Sequence, residues 1–149
     1  MLYETISNDM KNAMKSHDKD TLSTLRLLKS AIDSYVINNN MERGNATDEI
    51  VIDVVSKQVK THKESIEEFK KGNRLDLIEK LNNEIEILTK YLPEQLTIGE
   101  IEEEINKAIN KLNATSIKDM GSLMKELSPV LKGKADMKVV NEIIKSKLN

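Results

Sequence analysis

Cysteine is absent from the 149-residue sequence, and aromatic residues, glycine and proline are scarce. Without cysteine the chain can form neither a disulfide bond nor a thiolate metal site. It has no Trp, one Phe and three Tyr, which is fewer aromatic residues than a β-sandwich usually contains. Two prolines and five glycines leave few turn signals, a pattern typical of long helices. These absences exclude a disulfide framework and argue against a β fold.

Long apolar runs are also absent, since no stretch approaches the roughly 20 residues that a membrane-spanning helix needs. The first ten residues, MLYETISNDM, are amphipathic and contain neither a basic leader nor the apolar segment of a secretory signal. We therefore expect no signal peptide and no membrane partner. Together with the missing cysteines, this predicts a soluble, cytoplasmic protein.

The residues that are present favour helices. Charged residues make up 32% and hydrophobic residues 38% of the chain, and apolar positions recur at spacings of three and four along most of it. The sequence thus predicts an all-α, multihelical protein. Only residues 50–55, IVIDVV, have a competing β-propensity. We predict a helix there too, because the apolar stripe continues through Val59, Ile66 and Phe69 after an N-cap at Thr47.

The boundary between two domains is expected at residues 93–96. Pro93 ends a helix that we expect to reach Leu92, because the residue before a proline is disfavoured in the α region. Thr97 and Glu100 then form a capping box that opens the next helix. We predict an N-terminal helical domain at 1–92 and a small C-terminal domain of three to four helices at 97–149.

Local signals divide the C-terminal part into short helices. A helix is expected to end at Leu127, and Ser128-Pro129 to start a further turn that Gly133 stops. Asp136 caps the last helix. Gly121 lies inside a predicted helix, where glycine costs about 1 kcal/mol relative to alanine. This cost suggests that Gly121 permits a close backbone approach.

Positive charge is concentrated near the C-terminus. From residue 111 onward there are eight lysines and four acidic residues, a local net charge of +4. Such a basic segment permits binding of a polyanion without requiring it. The alternative is that the lysines only keep a helical surface solvated.

The turn before the last helix combines lysines with backbone donors. Lys132 and Lys134 flank Gly133, and the first N–H groups of the helix that follows lack helical partners. Lysines beside free donors can hold a phosphate, although the same segment could be only a tight corner between helices. With a lysine from each neighbouring helix, the candidate nucleic-acid-binding residues are Lys125, Lys132, Gly133, Lys134, Asp136 and Lys138.

No catalytic or metal-binding motif is present. The two histidines, His17 and His62, do not have the spacing of metal ligands, so we expect no metal site and no cofactor. There is neither a glycine-rich phosphate loop nor a GxSxG nucleophile motif. We assign His17 to a surface position near a helix C-terminus and His62 to a solvated basic stretch. With no cysteine and no plausible pair of a histidine and a carboxylate, no catalytic residue is predicted.

Several segments together resemble the YqeY family, whose sequence is shared with the C-terminal part of the B subunit of the glutamyl-tRNA(Gln)/aspartyl-tRNA(Asn) amidotransferase. The similarity runs nearly end to end. It rests on RLLKSAI at 26–32, KESIEEF at 63–69, GNRLDL at 72–77, EIEIL at 84–88, YLPEQL at 91–96 and KGKAD at 132–136.

The resemblance implies two helical domains, the second similar to the tail domain with which the amidotransferase grips tRNA. It does not imply the chemistry of that enzyme, whose kinase and transamidation site lies in a separate catalytic domain. Two residues depart from the family pattern. His62 stands where relatives often have Arg or Gln, and Lys134 stands where Arg is frequent, which keeps the charge but loses the bidentate fork.

Three functions follow as hypotheses. The favoured one is a stand-alone accessory protein of aminoacyl-tRNA metabolism that binds tRNA through its C-terminal domain and reads shape and backbone. The first alternative is an amidase or amide-transfer activity, a carbon–nitrogen ligase with glutamine as amido donor, linked to aminoacyl-tRNA. The second alternative is a protein-interaction module that docks on an aminoacyl-tRNA synthetase or an amidotransferase.

Overall fold

The protein is described by a computed structural model that covers residues 1–148. Within these residues every regular element is a helix, so the predicted all-α fold is confirmed, including residues 50–55. Asn149, the last residue of the predicted second domain, lies outside the described residues. The elements are α1 (Leu2–Lys15), α2 (Lys19–Asn38), α3 (Asp48–Lys71), α4 (Leu75–Thr89), α5 (Ile98–Leu112), a short 3₁₀ helix (Ile117–Asp119), α6 (Met120–Leu131) and α7 (Met137–Leu148).

The chain divides into two compact units, Met1–Leu92 and the segment from Pro93 onward. The first unit contains α1 to α4, and its apolar core is centred on fully buried side chains such as Leu25, Ile32 and Val55. The second unit contains α5, α6 and α7. Its separate core includes Ile105, Leu123, Leu131 and Ile144, all with 0% exposure.

Short polar residues fix where several helices begin, and the caps predicted at Thr47 and Thr97 are confirmed. The carboxylate of Asp18 accepts a hydrogen bond from the backbone N–H of Thr21 at 3.2 Å, and so caps α2. The hydroxyl of Thr47 caps α3 at 3.3 Å from the nitrogen of Ile50. Thr97 opens α5 in a capping box, in which its side chain and that of a glutamate each accept from the backbone of the other. Each cap satisfies an N–H group that the first helical turn leaves without a partner.

The end of α4 differs from the prediction. The helix stops at Thr89 rather than at Leu92. Beyond it, the N–H groups of Tyr91 and Leu92 bond to the carbonyls three residues earlier, Leu88 and Thr89, which makes a tighter turn. Tyr91 is only 7% exposed and belongs to the first core. Its burial accounts for the departure from regular helix before Pro93 is reached.

The predicted break near Ser128-Pro129 is wrong, because α6 continues through Pro129 to Leu131. Leu123, Leu127 and Leu131 are all buried and lie four residues apart, so one apolar face extends along the helix. Proline lacks only the N–H that would reach the carbonyl of Lys125. Pro129 and Lys125 are both exposed, so water can satisfy that carbonyl.

Gly121 does not permit a close approach, contrary to the interpretation of the sequence. A Cβ atom at this position would meet no heavy atom within 4 Å, and the residue is exposed near the start of α6. The helix therefore gains nothing in packing from glycine here.

Candidate nucleic-acid interface

The α6–α7 corner, residues 132–136, closes tightly on the end of α6. The N–H groups of Lys134 and Ala135 both donate to the carbonyl of Leu131, at 2.9 and 3.1 Å. This requires Gly133 to adopt a φ of 78°, in the left-handed region that glycine occupies without a Cβ penalty. The sequence prediction that Gly133 stops α6 is confirmed.

Asp136 caps α7, and its carboxylate affects where an anion could bind at the corner. Its Oδ1 atom accepts a hydrogen bond from the backbone N–H of Lys138 at 2.9 Å. One of the donors expected to be free at the start of α7 is therefore occupied by a carboxylate. Because that carboxylate is negatively charged, it disfavours a phosphate at the helix N-terminus itself. Contacts to an anion at the corner would come from the lysine side chains.

The segment before α5 holds the corner in place. The side-chain amide of Gln95 donates to the carbonyl of Gly133 at 2.7 Å and to that of Pro93 at 2.8 Å. The N–H of Leu96 donates to the carbonyl of Lys134 at 2.9 Å. These bonds fix the backbone that carries the corner lysines. Sequence reasoning missed the role of Gln95, although the residue lies inside the YLPEQL segment that resembles the family.

All four candidate lysines, Lys125, Lys132, Lys134 and Lys138, have exposed side chains. Lys125 lies on α6, Lys132 and Lys134 lie on the two sides of Gly133, and Lys138 is the second residue of α7. The structure thus places the predicted residues on the corner and on the two helices that it joins.

Charge is unevenly distributed within the second unit. Lys111 lies 2.5 Å from a carboxylate oxygen of Glu126, and Lys107 lies 3.4 Å from one of Glu104, so α5 lysines are paired with acids. The first turns of α5 also expose acidic side chains, those of Glu100, Glu102 and Glu103. In the described chain no carboxylate lies within ion-pair distance of Lys134. A polyanion would therefore be repelled by α5 and attracted to the corner.

His62 occupies a different environment from the one predicted. Its Nε2 atom lies 2.7 Å from Oε2 of Glu84, and the two side chains are only 21% and 18% exposed. His62 is on α3 and Glu84 is on α4, two helices that pack together after a three-residue connection. The predictions of a solvated His62 and of no plausible pair of a histidine and a carboxylate are both wrong. No local pattern predicts this pair, since its members are 22 residues apart.

The pair is not a catalytic triad. Among residues 1–148, Glu84 is the one side chain within hydrogen-bond distance of the His62 ring, so no hydroxyl is activated by it. The same residues contain no group of three or more His, Asp or Glu side chains arranged to hold a metal ion. None of the described helices has the length and apolar content needed to cross a membrane.

Comparison with known proteins identifies relatives along nearly the whole chain. A family model described as "Yqey-like protein" matches residues 3–148. The chain is 34% identical over 130 residues to "Altered inheritance of mitochondria protein 41, mitochondrial" of Pyrenophora tritici-repentis, over 85% of this chain and 69% of that protein. It is 39% identical over 93 residues to an uncharacterized protein of Schizosaccharomyces pombe, over 62% and 73% of the two chains. The protein of Lachancea thermotolerans with the same name as the first is 38% identical over 108 residues, 72% of this chain and 55% of the relative.

The predicted cytoplasmic location is wrong on this comparison, because relatives of this chain are named as mitochondrial proteins. The absence of a secretory signal and of cysteine argues against the secretory route alone and does not distinguish the cytoplasm from an organelle. Since the family model spans nearly every residue, the chain belongs to the YqeY family.

Proposed function

We propose that the protein binds tRNA through the α6–α7 corner, as a stand-alone accessory protein of aminoacyl-tRNA metabolism. The observation that carries this proposal is the division of charge in the second unit. Exposed lysines surround a turn whose backbone is fixed by hydrogen bonds, and in the described chain Lys134 has no carboxylate within ion-pair distance, whereas both lysines of α5 are paired with carboxylates. Because the backbone of the turn is already fixed, binding a phosphate there costs only the conformational entropy of the lysine side chains.

Binding at this surface would read backbone and shape. From residue 93 onward the chain has no Phe, Tyr or Trp, so it offers no aromatic platform on which unstacked bases could lie. The cap formed by Asp136 removes one helix donor, so the phosphate contacts come from Lys125, Lys132, Lys134 and Lys138. Lysine acts as a point charge on phosphate and carries little base specificity. A folded RNA with closely spaced phosphates, such as tRNA, suits these properties.

The two alternatives have less support. Amide transfer needs a nucleophile or an activated water beside a general base. The His62–Glu84 pair supplies a candidate base in the first unit, but within residues 1–148 no hydroxyl bonds to its ring and the chain has no cysteine. Docking on an aminoacyl-tRNA synthetase or an amidotransferase remains the competing binding function, and the experiment below separates it from tRNA binding.

The test measures tRNA affinity against salt concentration for the full chain and for the Lys132→Ala/Lys134→Ala double variant. Each phosphate contact contributes roughly 0.7–0.9 to the slope of log K against log salt, so the double variant should lower that slope by roughly two. All tRNAs should weaken about equally, because phosphate contacts carry no sequence information. The matched control is Lys107→Ala/Lys111→Ala, which removes the same charge from lysines paired with glutamates. It should leave the slope nearly unchanged.

Two results would contradict the proposal. An unchanged affinity and salt slope in the Lys132/Lys134 variant would make the corner only a solvated surface, and docking on a protein would become the better hypothesis. An equal loss in both double variants would show attraction to overall charge without a defined site. Thermal unfolding of each variant checks that the second unit still folds.

A further inference from the structure

Two adjoining cavities lie between α2, α3 and α4 in the first unit, which does not contain the α6–α7 corner. Their volumes are about 250 and 350 Å³, and both are lined by Thr24 of α2 and Glu84 of α4. We call them the acidic cavity and the apolar cavity. Asp20, Asp76 and Glu79 contribute to the wall of the acidic cavity. The apolar cavity presents mostly carbon atoms and is lined by Leu27 and by the longer or polar side chains of Lys57, Gln58, Thr61 and His62.

The hydroxyl of Thr24 lies at the junction of the two cavities without a partner. Thr24 is only 5% exposed and is the one polar residue among the buried side chains of residues 1–148. Its side chain makes no hydrogen bond to any other residue of the described chain. A hydroxyl without a partner in the protein takes its hydrogen bond from water or from a ligand. Since Thr24 lines both cavities, a bound molecule can supply the missing partner.

The acidic cavity has the charge to accept a cation. Four carboxylates line it, and Lys80 is the one basic residue in its wall. Asp76 is already paired with Arg74 at 3.5 Å, and this contact lowers the pKa of the aspartate. In residues 1–148 neither Asp20 nor Glu79 has an ion-pair partner. The carboxylates are too few and too scattered to form a metal site in the same residues.

Glu84 lines both cavities, as Thr24 does, so its carboxylate belongs to the acidic wall and also to the junction. His62 bonds to Oε2 of Glu84 and so fixes the carboxylate on α4, and the second oxygen remains available to another donor. Leu27 lines the apolar cavity together with His62, and it is 64% exposed. An exposed leucine beside a mostly apolar cleft gains by being covered with a hydrocarbon group. The junction therefore separates a region that suits a cation from one that suits an apolar chain.

We propose that this cleft binds a small primary amine with an apolar chain. The ammonium group donates to the hydroxyl of Thr24 and to the carboxylate of Glu84, while Asp20 and Glu79 add negative potential. An ammonium has three donors and no acceptor, which suits a site formed by a hydroxyl and carboxylates. The hydrocarbon chain lies in the apolar cavity against Leu27. The site lies entirely in the first unit, so it does not depend on tRNA binding at the corner.

The test uses n-hexylamine as the probe, titrated into the isotope-labelled full chain and followed by backbone amide NMR. The expected result is saturable shifts centred on Thr24, His62 and Glu84. Methylammonium tests the charge without the chain, n-hexanol tests the chain without the charge, and hexanoate reverses the charge. Each should bind at least about tenfold more weakly than n-hexylamine, because methylammonium buries no apolar chain and the other two lack the charged donor.

Three variants locate the site. Glu84→Gln should weaken n-hexylamine about tenfold and Thr24→Val several-fold, since each removes one acceptor of the ammonium. Glu79 is exposed, so Glu79→Gln should leave the fold intact. It should weaken binding about twofold to threefold, because it removes one negative charge near the ammonium group. Glu102→Gln, an exposed change on α5 in the second unit, is the matched control and should change nothing.

The outcome separates the possibilities. Shifts that are equally strong with n-hexanol would show an apolar cleft without a cation site and would overturn the proposal. Shifts spread over both units, or an undiminished affinity in Glu79→Gln and Glu84→Gln together, would also overturn it. The salt dependence of tRNA binding should be unchanged in Glu84→Gln, so a failure of this site is distinguishable from a failure of the corner.

Discussion

The hydroxyl of Tyr91 donates a hydrogen bond to Oδ2 of Asp9 at 2.5 Å, joining the turn after α4 to the first helix of the same unit. The two residues are 82 positions apart, and Tyr91 is buried in the first core. Burial of the ring, and then the neighbouring carboxylate, raise the pKa of Tyr91 well above its usual value. The neutral phenol is therefore the form that stabilises the fold.

This contact predicts a loss of stability at alkaline pH. A tyrosine whose pKa is raised on folding contributes stability that is complete below the unfolded value of about 10 and is lost as pH rises through the folded value. Tyr91→Phe should lower the free energy of unfolding by about 1–2 kcal/mol at pH 8. It should also lose less stability between about pH 10 and 11.5 than the parent protein does.

Urea unfolding at several pH values from 8 to 11.5 measures both effects. Tyr35→Phe is the control, because Tyr35 is exposed and makes no comparable bond. Some alkaline dependence should persist in Tyr91→Phe, since burial and the bond to Asp33 also raise the pKa of Tyr3. Equal alkaline slopes in the parent and in Tyr91→Phe would show that the phenol does not contribute in this way.

The His62–Glu84 pair should couple α3 to α4 measurably. A double-mutant cycle with His62→Ala and Glu84→Ala should give an interaction free energy of about 1–2 kcal/mol, because the partners are about four-fifths buried. The exposed pair of Lys70 and Glu67 provides the comparison, and its cycle should give roughly 0.3–0.5 kcal/mol. Equal coupling in the two cycles would mean that burial does not strengthen the pair.

Ser56 carries a buried hydroxyl that has no hydrogen-bond partner in the described chain. Replacing it with alanine removes the unsatisfied group and also improves helix propensity, so Ser56→Ala should stabilise the first unit by about 1 kcal/mol or more. Ser30→Ala, at an exposed position of α2, isolates the propensity effect and should give only about 0.5 kcal/mol. Thermal and urea unfolding of both variants give the difference. A smaller gain for Ser56→Ala than for Ser30→Ala would show that the hydroxyl is satisfied in solution.

Local signals in the sequence predicted the local structure, but they did not predict the long-range contacts. The caps at Thr47 and Thr97 and the turn at Gly133 depend on residues within four positions, so their chemistry can be read directly. The contacts of Tyr91 with Asp9 and of Gln95 with Gly133 join residues 82 and 38 positions apart, and no periodicity encodes such partners.

The error at Pro129 has the same origin. Proline is a local signal for a new turn, but burial of Leu127 and Leu131 on one face outweighs the single hydrogen bond that the ring removes. For the candidate interface, the sequence supplied the lysines and the corner. It could not show that Asp136 occupies a donor of α7 or that Gln95 fixes the turn, because both depend on where side chains lie after folding.

Two glycines of the second unit should respond in opposite directions to a side chain. Gly133 has a φ of 78°, a conformation that a β-branched residue strongly disfavours, so Gly133→Val should destabilise the second unit by about 2 kcal/mol or more. Gly121 is in α6 with open space around it, so Gly121→Ala should stabilise the same unit by about 0.5–1 kcal/mol through helix propensity and a restricted unfolded chain.

Amide hydrogen exchange of buried α6 and α7 residues, such as Leu127 and Ile144, reports on the second unit, and that of Leu25 reports on the first. Protection of Leu127 and Ile144 should fall in Gly133→Val and rise in Gly121→Ala, while that of Leu25 should stay nearly constant. If the corner binds tRNA, Gly133→Val should also weaken binding, because the bonds that fix the lysines depend on the left-handed turn. Unchanged protection in Gly133→Val would show that the corner tolerates another conformation and that its backbone is not fixed by the left-handed turn.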